Sequence, residues 1–128
     1  MYSRLATLFS TLFLTSAAWA DVALLMAEEP GCIYCARWNE EIAPIYPKTM
    51  EGKAAPLRRI DITEPLPTDI VLDRRITFTP TFVLLIEGRE IQRLEGYPGE
   101  DFFWGLLEMM LKEADIPMGG EFSEQVVN

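Results

Sequence analysis

The chain has 128 residues, 49% of them hydrophobic, which suits one small globular domain and leaves no room for a second. Twenty acidic residues against eleven basic ones, with no histidine, give a net charge of −9. That sign argues against nucleic acid and anionic lipid as partners, and it does not choose between protein and small-molecule partners.

The first twenty residues read as a signal peptide. Arg4 supplies a positive start, Leu5 to Ala18 a short apolar stretch, and Ala18-Trp19-Ala20 fits the small-x-small pattern of a signal peptidase site. The stretch falls short of the ~20 apolar residues of a spanning helix and contains Ser and Thr, so cleavage after Ala20 is expected over an uncleaved anchor. The leader holds one Arg and no acid, which leaves residues 21–128 with a net charge of −10.

"DVALLMAEE" (21–29) predicts a short apolar strand of the kind buried on both faces. Pro30-Gly31 breaks it, and a helix is expected from Cys32, with Trp38, Ile42 and Ile45 at helical spacing and Glu40 and Glu41 facing out. Pro44 should kink or end that helix. "MEGKAAP" (50–56) reads as a loop and "LRRIDI" (57–62) as a second strand. "TEPLPTD" (63–69) reads as another loop, with Thr68 or Asp69 as an N-cap for a short helix over "IVLDRRI" (70–76).

"TFVLLIE" (81–87) carries the strongest strand signal, and Glu87-Gly88-Arg89 turns it into the alternating "EIQRLEG" (90–96), a β-hairpin. Tyr97-Pro98-Gly99 reads as a turn. From Asp101 to about Ala114, Phe103, Leu106, Leu107, Met110 and Leu111 form one apolar helix face. Residues after Asp115 read as frayed. The order β, α, β, α, β-hairpin, α predicts an α/β fold, a mixed sheet with helices on both faces and its first two strands parallel.

The chain has two cysteines, Cys32 and Cys35. A sulfur at a helix start lies near unpaired backbone N–H groups and the positive end of the dipole, which favour thiolate over thiol. Such motifs lower the first cysteine from ~8.5 into the range ~3.5–7.5, and the thiolate is the attacking species in disulfide exchange. Cys35, one turn in and less exposed, is placed to close a disulfide with Cys32. As a structural staple, so small a loop sits at the low end of the usual ~2–4 kcal/mol. A zinc or iron–sulfur site needs about four N/S ligands, and the chain has no His and no third Cys. Redox exchange is the favoured reading. A redox-inert binding module, a disulfide-donating oxidase or isomerase, and a metal-delivery protein stay open beside it.

The chain beyond the leader resembles the thioredoxin superfamily over almost its whole length. The likeness rests on "VALLMAEEPGCIYC", on "TFTPTFVLLIEG" and on "EIQRLEGYPGEDFFWGLL". It implies the thioredoxin fold with a sheet of about four strands, a cis Thr79-Pro80 bond facing the cysteines, and a Thr79 backbone that hydrogen-bonds a bound peptide. Cys32 would be the nucleophile and Cys35 the resolving residue. Read from its position between them, Tyr34 sets an aromatic ring beside the sulfurs, either as a partner contact or as a cover for the helix start. "PGCIYCARWNEEIAPIYPKT" with "FTPTF" is similar to the small periplasmic thioredoxins of bacterial sulfur-oxidation (Sox) systems, the SoxS type. That likeness implies a periplasmic reductase acting on the oxidised cysteine of a sulfur-carrier protein. It would be re-reduced by a membrane donor of the CcdA/DsbD type. No cofactor and no metal is implied, and the chain is read as a monomer.

Departures from the family pattern bear on proton transfer. Gly31 stands where thioredoxins carry Trp, and Ile33-Tyr34 where they carry Gly-Pro. Met26 replaces the buried acid six residues before the first cysteine, and Leu57 is read as replacing its lysine partner. Deprotonation of Cys35 must then rely on solvent, the partner, or Glu28 or Glu29, with Glu28 preferred.

Overall fold

A computed structural model of the chain describes residues 20–119. The expected leader, apart from Ala20, lies outside them. Among the described residues no helix is long and apolar enough to cross a membrane.

Strands β1 (Val22–Glu28), β2 (Leu57–Asp61), β3 (Thr81–Ile86) and β4 (Arg89–Glu95) form one sheet in the order β2-β1-β3-β4. β1 runs parallel to β2 and antiparallel to β3, which pairs antiparallel with β4. The two central strands are covered on both faces, which is why each reads as an unbroken apolar run. Side chains alternate across the sheet. Leu24, Met26, Phe82 and Leu84 enter one core cluster, and Leu25, Ala27, Val83 and Leu85 enter another.

The first cluster is the helical side. Helix α1 (Ile33–Glu41) supplies Trp38, and helix α3 (Glu100–Glu113) supplies Phe103, Leu107, Met110 and Leu111. Trp38, Phe82 and Phe103 meet with ring centroids 5.0–5.7 Å apart in tilted and edge-on geometry. α1 closes at Ile42, before Pro44. Ile45 is exposed, and Tyr46 takes the buried place instead, its hydroxyl donating to the Ala55 carbonyl at 2.6 Å.

Residues 50–56 depart from the expected loop, because Met50–Ala54 form a short helix, α2. Thr49 caps it. Its hydroxyl accepts from the Gly52 N–H at 3.0 Å and donates to the Tyr46 carbonyl at 2.7 Å. The glycine that reads as a loop signal allows close contact with the preceding turn.

Helices on both faces are expected, and among the described residues the second face has none. No residue of its cluster belongs to a helix, and the expected helix over 70–76 is an irregular segment. Ile70 and Leu72, two residues apart, both join that cluster, as in extended chain. Val71 donates to the Gly88 carbonyl at 2.9 Å and accepts from the Glu90 N–H at 3.0 Å, so Asp69 caps nothing and pairs instead with Arg58. The segment's backbone partners are supplied by β4 and its hairpin. Glu90 also accepts from the Asp73 N–H, and Arg93 donates to the Arg74 carbonyl. The Glu90–Arg93 ion pair that makes these contacts is buried, its carboxylate side chain 3% and its guanidinium 5% exposed.

A pH dependence follows. Hydrogen bonding from Arg93, opposed by burial, holds the Glu90 carboxyl below its ordinary value. The unfolded chain therefore binds the proton more readily, so this contribution is full above the ordinary carboxylate range and is lost as pH falls through the lower folded value. Denaturant midpoints measured downward from pH 6 should fall less steeply in Glu90→Gln than in the parent chain.

The hairpin turn places Glu87 and Gly88 at φ 52° and 76°, the two-residue form that suits strand twist. After α3 the chain does not fray at once. Asp115 adopts φ 56°, and the N–H groups of Asp115 and Ile116 return to the carbonyls of Lys112 and Leu111. This helix-closing turn sends Ile116 and Met118 into the core.

Candidate active site

The cysteines lie where β1 hands over to α1. Gly31, at φ 81°, turns the chain after Pro30, and Cys32 takes an extended conformation as the N-cap of α1. Its Sγ accepts the Cys35 N–H at 3.1 Å, so a sulfur occupies the place where an N-cap oxygen usually sits. An anionic sulfur there is stabilised by that N–H and by the dipole of the helix.

Cys32 and Cys35 are joined by a disulfide, their Cα atoms 5.2 Å apart. Cys32 is half-buried, whereas Cys35 is 3% exposed and packs in the cluster of Met26, Trp38 and Phe82. Only the first sulfur can meet a second protein without a change of fold. Ile33 and Tyr34, between them, are 73% and 53% exposed, and the Arg37 guanidinium lies 5.6 Å from the Tyr34 ring.

The Thr79–Pro80 peptide bond is cis. The sheet brings it to the cysteines: Thr81 pairs with Ala27, so Pro80 and Thr79 continue beside Glu28 and Glu29. The Thr79 hydroxyl donates to Glu29 Oε1 at 2.8 Å, which joins the two loops. On the far side Gly96 donates to the Pro80 carbonyl at 2.7 Å, and the Thr81 hydroxyl donates to the Phe78 carbonyl at 2.6 Å. Among the described residues, neither the backbone N–H nor the carbonyl of Thr79 has an internal partner. Both are open to an extended peptide. Phe78, beside them, is 55% exposed. The turn at Tyr97 is tied to α1, its hydroxyl donating to the Glu41 carboxylate. Burial and that carboxylate push the Tyr97 phenol well up, so it remains a donor.

The register corrects one sequence expectation. Leu57 lies opposite Leu24, and the residue opposite Met26 is Arg59. A cation therefore does stand beside the position of the missing acid. Arg59 reaches Met26 Sδ at 3.5 Å, lies 5.6 Å from the Trp38 ring and pairs with Glu28 at 2.6 Å. Glu28 also faces Asn39 Nδ2 at 3.5 Å. Sequence reading missed Arg59 and the Thr79 bond to Glu29 because pairing between segments tens of residues apart leaves no local trace of its register. Among the described residues no cluster of three or more His, Cys, Asp or Glu side chains is placed to hold a metal ion.

A family model described as a thioredoxin-like domain matches residues 17–111. The periplasmic thioredoxin SoxS from Paracoccus pantotrophus, solved in its reduced form, is 57% identical with a TM-score of 0.71, over 73% of this chain and 98% of that one. The chain belongs to the thioredoxin superfamily, in its SoxS type. It is a thiol–disulfide oxidoreductase, with Cys32 and Cys35 as its Cys-x-x-Cys pair. Thioredoxin-2, a component of the malaria parasite protein secretion machinery, shares the fold at 18% identity and a TM-score of 0.52, over 83% of this chain and 99% of that one. No curated protein matches the sequence.

Proposed function

We propose that this oxidoreductase works in the periplasm as a reductase that restores the oxidised cysteine of a sulfur-carrier protein. The observation that carries the reading is the 57% identity to a periplasmic SoxS across 98% of that protein's chain. The likeness to Sox-associated thioredoxins supports the choice of substrate. A relative described in its reduced form, beside a closed Cys32–Cys35 pair here, supports a pair that opens and closes.

In the reaction the Cys32 thiolate attacks a sulfur of the substrate disulfide. A Cys32–substrate disulfide forms, the substrate bond breaks, and the leaving thiolate takes a proton. Cys35 then loses its proton and attacks Cys32 Sγ, forming the Cys32–Cys35 disulfide and releasing the second substrate thiolate. The substrate gains two electrons and two protons, and the dithiol loses them. Thr79 and Pro80 hold the substrate backbone, and Tyr34 offers it an exposed ring. Glu28, beside Arg59, takes the Cys35 proton. A membrane donor of the CcdA/DsbD type reopens the disulfide. The working form is residues 21–128, a monomer, after removal of residues 1–20 as a signal peptide. It uses no cofactor and no metal.

The test is capture of partners by Cys35→Ser in the native cell envelope, followed by mass spectrometry of the mixed disulfides. One dominant adduct through the cysteine of a sulfur-carrier protein supports the proposal. Many unrelated folding clients would replace it with a general oxidase or isomerase role.

A further inference from the structure

We propose that Glu29 is a positioning residue that fastens the substrate-binding loop to the cysteine-bearing turn and so sets how well an extended peptide docks. The inference rests on the reading that Thr79 and Pro80 bind substrate backbone. Glu29 touches both halves of the site. Its backbone carbonyl accepts the Cys32 N–H at 3.3 Å, and its carboxylate accepts the Thr79 hydroxyl at 2.8 Å, across fifty residues of sequence. No ion pair engages this carboxylate among the described residues, whereas its neighbour Glu28 is held by Arg59. A hydroxyl donating to an unpaired, half-buried carboxylate makes a charge-assisted bond stronger than a neutral one.

The loop is pinned at three points. The Phe78 carbonyl is held by the Thr81 hydroxyl, the Pro80 carbonyl by the Gly96 N–H, and the Thr79 side chain by Glu29. Only the first two anchors come from the strand side. The third links Thr79 directly to the residue whose carbonyl holds the Cys32 N–H. With it in place the N–H and carbonyl of Thr79 are presented at a fixed distance from the nucleophile. Without it the loop keeps its fold and loses that alignment, which weakens reaction with a peptide that must pair with the backbone. A small disulfide needs no such pairing.

The experiment uses the prereduced protein and two probes. One is a synthetic extended peptide whose single cysteine is joined by a disulfide to thionitrobenzoate. The other is dithiobis(nitrobenzoic acid). Attack by Cys32 releases coloured thionitrobenzoate from both. Glu29→Ala should lower the second-order rate constant for the peptide about tenfold more than that for the small disulfide. Glu29→Gln, which keeps an acceptor for the Thr79 hydroxyl, should restore the peptide rate to within about twofold. Thr79→Val should reproduce the Glu29→Ala loss, and the double variant should be no slower than either single one. Equal losses on both probes, or fully additive losses in the double variant, overturn the proposal. Pro80→Ala separates the two levels. If it slows the peptide reaction while Glu29→Ala does not, the fastening role fails alone. If it too leaves the peptide rate unchanged, the substrate-binding reading of the loop fails with it.

Discussion

Cys32→Ser is expected to lower protein-disulfide reduction on the order of 10³-fold or more, while Cys35→Ser stops the reaction halfway as a covalent complex. The two cysteines differ in exposure and in electrostatic setting. Cys32 is reachable and accepts the Cys35 N–H at the head of α1, whereas Cys35 is 3% exposed under that turn. A serine oxygen at position 32 keeps the cap and loses the nucleophile, because a hydroxyl at neutral pH has no useful anionic fraction. A serine at position 35 leaves the first attack in place and removes the step that releases substrate. Acid-quenched single turnovers, with the adducts weighed by mass spectrometry, distinguish the two. Free turnover by Cys35→Ser would show that substrate is released by some other thiol. The same quench tests the Glu28 role. If it takes the Cys35 proton, Glu28→Gln should prolong the mixed disulfide, and an unchanged resolving rate across pH would remove it from the mechanism.

Gly52→Ala should destabilise the protein by about 3 kcal/mol or more, a drop in melting temperature above about 10 °C. The sign runs against helix propensity, which favours Ala over Gly by about 1 kcal/mol in a helix interior. Space decides it. A Cβ at position 52 would lie 1.8 Å from the Tyr46 carbonyl oxygen and 2.6 Å from its carbon, both backbone atoms. That carbonyl is fixed by the Thr49 hydroxyl, and the Tyr46 side chain is buried and bonded to Ala55, so the turn cannot give way cheaply. Thermal unfolding of the variant measures it directly. A melting temperature at or above that of the parent chain would show that α2 shifts to admit the methyl group.

The positions where sequence reading and structure part share a cause. α2 was hidden because its glycine serves a contact with the turn before it, and composition sees only a breaker. Residues 70–76 carry enough apolar and charged residues to resemble a helix, and they form an irregular segment because Glu90, Arg93 and the hairpin offer their backbone better partners. Asp115 closes α3 in a conformation more usual for glycine, so the burial of Ile116 and Met118 had no local sign.

The cysteine pair at a helix start, the central strands, the hairpin and the apolar face of α3 can all be read from the sequence. Each is written in neighbours a few residues apart, where helical or strand periodicity and turn chemistry act directly. Three features needed the assembled fold: Arg59 opposite Met26, Glu29 holding Thr79, and one sheet face that the described residues cover without a helix. Those pairings join segments tens of residues apart, and their register follows from how all the side chains pack together, which no short stretch of the chain encodes.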